Sequence, residues 1–107
     1  MEIDDSTGRR IVTLRAETGV RNDVREEPDG SVVFMGSDVS AGLRGYDYEY
    51  ELAPAAVAAL RAELGGEPGS DVLALIHDAK DAILAGGEIA WLRTHSLEGT
   101  FSSRMRS

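Results

Sequence analysis

The sequence predicts an α+β domain: an antiparallel sheet of about four strands in the N-terminal half, with two main helices and a short third packed on one face. Three observations carry this. Segments rich in β-branched residues or in strict alternation crowd the first half. Apolar residues at helical spacing fill the second half. Gly- and Pro-containing punctuation separates the segments, and strands that precede helices mark the α+β class.

Residues 1–8 read Met-Glu-Ile-Asp-Asp-Ser-Thr-Gly, polar and without period, and are expected to form a flexible lead-in to a single domain over 9–107. Residues 9–16, Arg-Arg-Ile-Val-Thr-Leu-Arg-Ala, mix β-branched residues with alternation and predict a first strand. Residues 20–26 predict a second, more polar one. Glu27-Pro28-Asp29-Gly30 then supplies turn chemistry: Pro28 presets φ, Asp29 can bond its own backbone, and Gly30 tolerates positive φ. Residues 31–36, Ser-Val-Val-Phe-Met-Gly, leave that turn as a strand, so a hairpin centred on Asp29-Gly30 is expected. Residues 37–45, with Gly42 and Gly45, read as a loop.

The strongest strand spans 44–52. Tyr46, Tyr48, Tyr50 and Leu52 fall on one face, and Asp47, Glu49 and Glu51 on the other. The tyrosine face is expected to meet the core. A one-residue slip would turn three carboxylates inward, so the register is strongly specified.

Pro54 suits a first helical turn, and Val57, Leu60 and Leu64 follow at helical spacing until Gly65-Gly66. Ser70 is the expected N-cap of the second helix, with Asp71 favourably placed against the dipole. That helix carries Val72, Leu73, Ile76, Ala79 and Ile83 on its apolar face and stops at Gly86-Gly87. A short third helix over 88–94 contributes Ile89, Trp91 and Leu92. Residues 100–104 return as a last short strand with Phe101 as its anchor.

Composition excludes several function classes. The 107 residues carry Asp+Glu 19 against Lys+Arg 11, a net charge of −8, which repels nucleic acid and anionic membrane. No apolar run reaches the ~18 residues of a transmembrane helix. The acidic start Met1-Glu2-Ile3-Asp4-Asp5 is not a secretory signal, and a cytoplasmic location is expected. With Cys 0, disulfides and thiolate metal sites are ruled out.

The remaining residues offer little catalysis. His77 and Asp81 are four apart on one expected helix, but a zinc site needs three or four ligands, and only distant His95 or surface acids could complete it. Ser96 beside His95 lacks a nucleophile elbow or a third partner. The glycines form no phosphate-binding pattern. Asp47, Glu49 and Glu51 read first as the wet face of a half-exposed strand, then as a partner-facing stripe, and last as paired catalytic or metal-binding carboxylates. Arg9, Arg10, Arg15, Arg21 and Arg25 make the first quarter the least acidic part, and cross-strand pairing with Glu17, Glu26 or the acidic stripe is expected of them. No catalytic, cofactor-binding or metal-binding residue is assigned, and an enzyme is not expected.

From Tyr46 onward the layout resembles a group of short, uncharacterised actinobacterial proteins. The resemblance is carried by the Tyr-x-Tyr strand ending in Leu52 and Pro54, and by the helix closing on Ala62-Glu63-Leu64-Gly65-Gly66. It continues through Pro68-Gly69-Ser70-Asp71-Val72-Leu73, Trp91-Leu92-x-x-His95 and the tail Phe101-Ser102-Ser103-Arg104. Lys80 is the only lysine, and this arginine bias agrees with a high-GC bacterial genome. In size and acidity such proteins are similar to the immunity proteins of bacterial toxin systems.

The expected function is therefore a non-enzymatic interaction protein of inhibitor or immunity type, docking a basic partner through Asp47, Glu49 and Glu51. The alternative is a small-ligand or enzyme-like domain with a pocket between the tyrosine face and the helices, marked by His77 or His95. A homo-oligomeric structural module is the third reading.

Overall fold

The structure, a computed structural model, describes residues 2–4, 9–17, 19–38 and 46–105. Among these residues six strands join in chain order into one antiparallel meander: β1 (Glu2–Asp4), β2 (Arg9–Glu17), β3 (Val20–Glu26), β4 (Val32–Asp38), β5 (Tyr46–Leu52) and β6 (Thr100–Met105). Four helices lie between β5 and β6: α1 (Pro54–Glu63), α2 (Val72–Asp78), α3 (Lys80–Ala85) and α4 (Glu88–Thr94).

The class is α+β, with a larger sheet and more helices than expected. Strands β2 to β5 are the four anticipated in the N-terminal half, and β6 is the short return. β1 falls within the stretch 1–8, where Glu2–Asp4 pair with Arg9–Ile11; residues 1 and 5–8 lie outside the described residues. The loop expected over 37–45 lies outside them from 39 onward, and Ser37 and Asp38 extend β4.

Register builds the core row by row. Val12 pairs Val24, Val24 pairs Phe34, and Phe34 pairs Tyr50, so four buried side chains stand in line across the sheet. The helices cover this face with Val57, Leu60, Val72, Leu73, Ile76, Ile83 and Leu92 in one continuous cluster. The alternate rows, Thr13–Asp23–Met35–Glu49–Ser102 and Ile11–Arg25–Val33–Glu51–Thr100, occupy the opposite face. No helix residue of the core cluster packs there.

One irregularity matters below. Thr13 pairs Asp23 while Arg15 pairs Asn22, so Leu14 is an extra residue in β2, a β-bulge. A bulge re-aims the side chains that follow it. Leu14 is buried, and Arg15 turns to the helix side beside Asn22.

The turns follow their chemistry. Gly30 takes φ 94 and its N–H donates to the Glu27 carbonyl at 3.0 Å, while Asp29 Oδ1 accepts from the Ser31 N–H at 2.9 Å. Pro54 opens α1, and the N–H groups of Gly65 and Gly66 close it on Ala62 and Arg61. Past α4, Tyr50 locks the chain's return: its hydroxyl donates to the Leu97 carbonyl at 3.2 Å and accepts from the Gly99 N–H at 2.9 Å. Leu97, 2% exposed, anchors this return; Phe101, expected as the anchor, is 43% exposed.

The cap of α2 also differs from expectation. Ser70 Oγ accepts from the Glu67 N–H at 2.9 Å and so completes the preceding turn. Asp71 takes the N-cap, with Oδ1 accepting from Leu73 at 3.1 Å and Ala74 at 3.4 Å. Its Oδ2 meets Arg10 Nη2 at 2.6 Å, and this hydrogen bond holds the carboxyl below its ordinary value. Asp71→Ala is expected to cost about 1–2 kcal/mol in urea denaturation. Asp71→Asn, which keeps the cap and loses only a half-exposed ion pair, should cost under about 1 kcal/mol. Equal losses would assign the effect to Arg10 instead of the cap.

The single helix expected up to Ala85 is broken at Ala79, which takes φ −97 and ψ 10 and donates to both Leu75 and Ile76 carbonyls at 3.1 Å. α2 then packs on β2 and β3, and α3 turns to pack on α4.

Candidate functional site

Two features stand apart from ordinary core and surface, one on each face of β5.

The first is the acidic row. Glu49 and Glu51 are exposed and Asp47 is half-buried, all on the face that the helices leave uncovered. The arginines nearby are engaged elsewhere: Arg21 with Asp23 at 2.7 Å, Arg25 with Glu27, Arg9 with Glu27 at 2.8 Å and Arg10 with Glu26 at 3.1 Å. Local pairing thus takes Glu26, as expected, and adds Asp23 and Glu27, while Glu49 and Glu51 are left out of these pairs. Among the described residues no ion pair or hydrogen bond holds the carboxylates of Glu49 and Glu51. Depressions flank the row on both sides. One of about 270 Å³ is lined by Arg21, Asp23, Met35, Asp47 and Glu49; another of about 350 Å³ by Asp47, Glu49, Ser102 and Ser103. Each has room for a long side chain.

The second feature is a buried polar cluster on the helix side, built from three strands and a helix. Asn22 stands in an inward position of β3, in register with Gly36, which in turn pairs Tyr48. Because Gly36 has no side chain, the Tyr48 ring lies directly over it: a Cβ there would sit 2.1 Å from Tyr48 Cε1. The ring thereby carries its hydroxyl toward β3 and α4. That hydroxyl donates to Glu88 Oε1 at 2.5 Å, and Asn22 Nδ2 donates to the Tyr48 oxygen at 3.1 Å and to Glu88 Oε1 at 3.4 Å. Arg15, turned inward by the bulge, donates from Nε to Asn22 Oδ1 at 2.9 Å and fixes the amide's orientation.

Glu88 is 2% exposed, and its Oε2 is buried without a hydrogen-bond partner among the described residues. Burial pushes its carboxyl from 4.5 up to about 7, against the pull of the Tyr48 and Asn22 hydrogen bonds and the Arg15 charge. Burial, then the bond to Glu88, raises the Tyr48 hydroxyl further above its ordinary range, so it stays a donor. Beside this cluster opens a cavity of about 400 Å³ lined by Tyr48, Gly87, Glu88, Ile89, Arg93 and Phe101. Phe101 stacks on Tyr48 with ring centroids 6.3 Å apart.

Of the tyrosine face expected to meet the core, Tyr50 and Leu52 do so, whereas Tyr48 joins the polar cluster; nothing is described of the Tyr46 side chain. The cavity adjoins the tyrosine face, but neither His77 nor His95 lines it. His95 Nδ1 lies 3.0 Å from Glu63 Oε2, and its ring lies 4.2 Å from that of Trp91. His77 and Asp81 fall on different helices, and no group of three metal-ligating side chains assembles among the described residues.

Compared with protein-family models, with curated proteins and with solved structures, the chain matches none. Among the described residues, no helix is long and apolar enough to cross a membrane. The site therefore rests on its geometry.

Sequence reasoning passed over Arg15, Asn22 and Glu88. Two of them left a signal. Asn22 interrupts the inward positions Val20, Asn22 and Val24, and Glu88 lies four residues before Leu92 on the apolar face of its helix. A polar residue at a core position is the informative exception. Arg15 left none, because its direction depends on the bulge.

Proposed function

We propose that this chain is a non-enzymatic interaction protein, of inhibitor or immunity type, that receives a basic partner on the uncovered face of its sheet. One observation carries the reading: among the described residues Glu49 and Glu51 stand unpaired on a helix-free face, Glu49 beside two side-chain-sized depressions, while nearby arginines are engaged with other acids. A partner's lysines or arginines would find the Glu49 and Glu51 carboxylates free of ion pairs with the described residues. The net charge of −8 extends that attraction beyond contact distance and speeds encounter.

The test is kinetic. A partner captured from native extract by the wild-type chain is purified and its association rate measured against wild type and against the triple variant Asp47→Asn, Glu49→Gln, Glu51→Gln. The variant is expected to associate about tenfold more slowly at low salt, with the two rates converging as salt screens the field. Equal rates at low salt would remove the acidic row from the interface.

A further inference from the structure

The cavity beside Glu88 lies on the other side of β5 and calls for its own occupant. Its lining has two chemistries. Tyr48, Ile89 and Phe101 give it an apolar wall, and Phe101 is the exposed large hydrophobic residue among those described. Its exposed ring offers a face against which an aromatic ligand can stack. The second chemistry is Glu88. Its Oε1 is occupied by Tyr48 and Asn22, and its buried Oε2 has no partner among the described residues. Buried polar atoms are paired as a rule, and an exception asks for a donor.

Charge narrows the donor. A carboxylate is satisfied best by a cation, through a charge-assisted hydrogen bond. The chain's net charge of −8 draws cations to it. Arg93 is the cation lining this cavity, and it is exposed, so water and salt screen its repulsion. The volume of about 400 Å³ falls within the range of small-molecule sites.

We propose that this cavity binds a small molecule carrying a primary ammonium on an aromatic body, with the ammonium donating to Glu88 and the ring lying against Phe101 and Ile89. The site is independent of the acidic row and stands whether or not the sheet face binds a partner.

The probe is 2-phenylethylamine, with 2-phenylethanol as its neutral counterpart, titrated into the ¹⁵N-labelled full chain at pH 8, where Glu88 is ionised. Saturable shifts are expected at the amides of Gly87, Glu88, Ile89, Ala90 and Phe101, with a Kd of about 1 mM or tighter. The alcohol is expected to bind roughly tenfold more weakly. Glu88→Gln should bring the amine down to the level of the alcohol, and Phe101→Ala should weaken both. Phe101 is exposed, so that variant keeps the test intact if Glu88→Gln fails to fold. No saturable shift up to about 20 mM, far above the Kd this site should give, overturns the proposal. So does equal binding of amine and alcohol by the wild type, or amine binding that Phe101→Ala leaves unchanged.

Discussion

Between pH 5 and pH 8 the folded state should lose about 2 to 3 kcal/mol of stability through Glu88 alone, and Glu88→Gln should abolish that loss. Burial raises the Glu88 carboxyl from 4.5 to about 7, so in this window the folded chain holds a proton that the unfolded chain has released. Stability therefore falls as pH rises from about 4.5, and the loss is complete once the folded carboxyl has ionised above 7. Acids elsewhere in the fold run the other way. Glu27, Asp29 and Asp71 are held below their ordinary values, so their contribution fades only as pH falls through the acid range. The measurement is the urea midpoint of wild type and Glu88→Gln at several pH values. The difference between the curves isolates Glu88 from every other titrating group. Two parallel curves would mean that the carboxyl is not held in the buried environment described.

The second large effect is expected at Gly36. Gly36→Ala places a methyl 2.1 Å from Tyr48 Cε1, and the neighbour is a ring held by its hydroxyl, not the free end of a flexible chain. The ring must swing away, which breaks its bond to Glu88 and leaves the buried carboxyl with Asn22 as its one donor. Overpacking and an orphaned buried group together should cost about 3 kcal/mol or more. A double-mutant cycle identifies the cause. In a Tyr48→Ser background the same Gly36→Ala change should cost under about 1 kcal/mol, because no ring remains to displace. A full cost in both backgrounds would place the penalty in the backbone instead.

How much of this was legible in the sequence depends on what kind of signal each part left. The alternation Tyr46 to Leu52 specified its own faces, because a pleated strand has a period of two and the alternative register buries three acids. The turn at Asp29-Gly30 and the helix over 88–94 were equally readable, since each is set by residues within a few positions. The break at Ala79 was not, because His77-Asp78-Ala79-Lys80 contains no helix breaker and the turn serves the packing of α3 on α4. The polar cluster failed for a related reason. Its members come from β2, β3, β5 and α4, and only the sheet register and the bulge at Leu14 bring them together. The acidic row was visible as a row. That the arginines around it are engaged with other acids depends on rotamers that no periodicity encodes.

The pairing of Glu51 with Thr100 has a topological meaning. The helical block leaves the sheet beyond Leu52 and rejoins it directly beside Glu51, so all four helices are the loop of one very long β-hairpin. Closing a loop of that length costs on the order of 3 kcal/mol in chain entropy, growing only as the logarithm of its length. The Tyr50 hydroxyl, bonded to Leu97 and Gly99, sits at the neck of this loop and offsets part of that cost. The strand recognised first by its tyrosines thus also holds the two halves of the chain together.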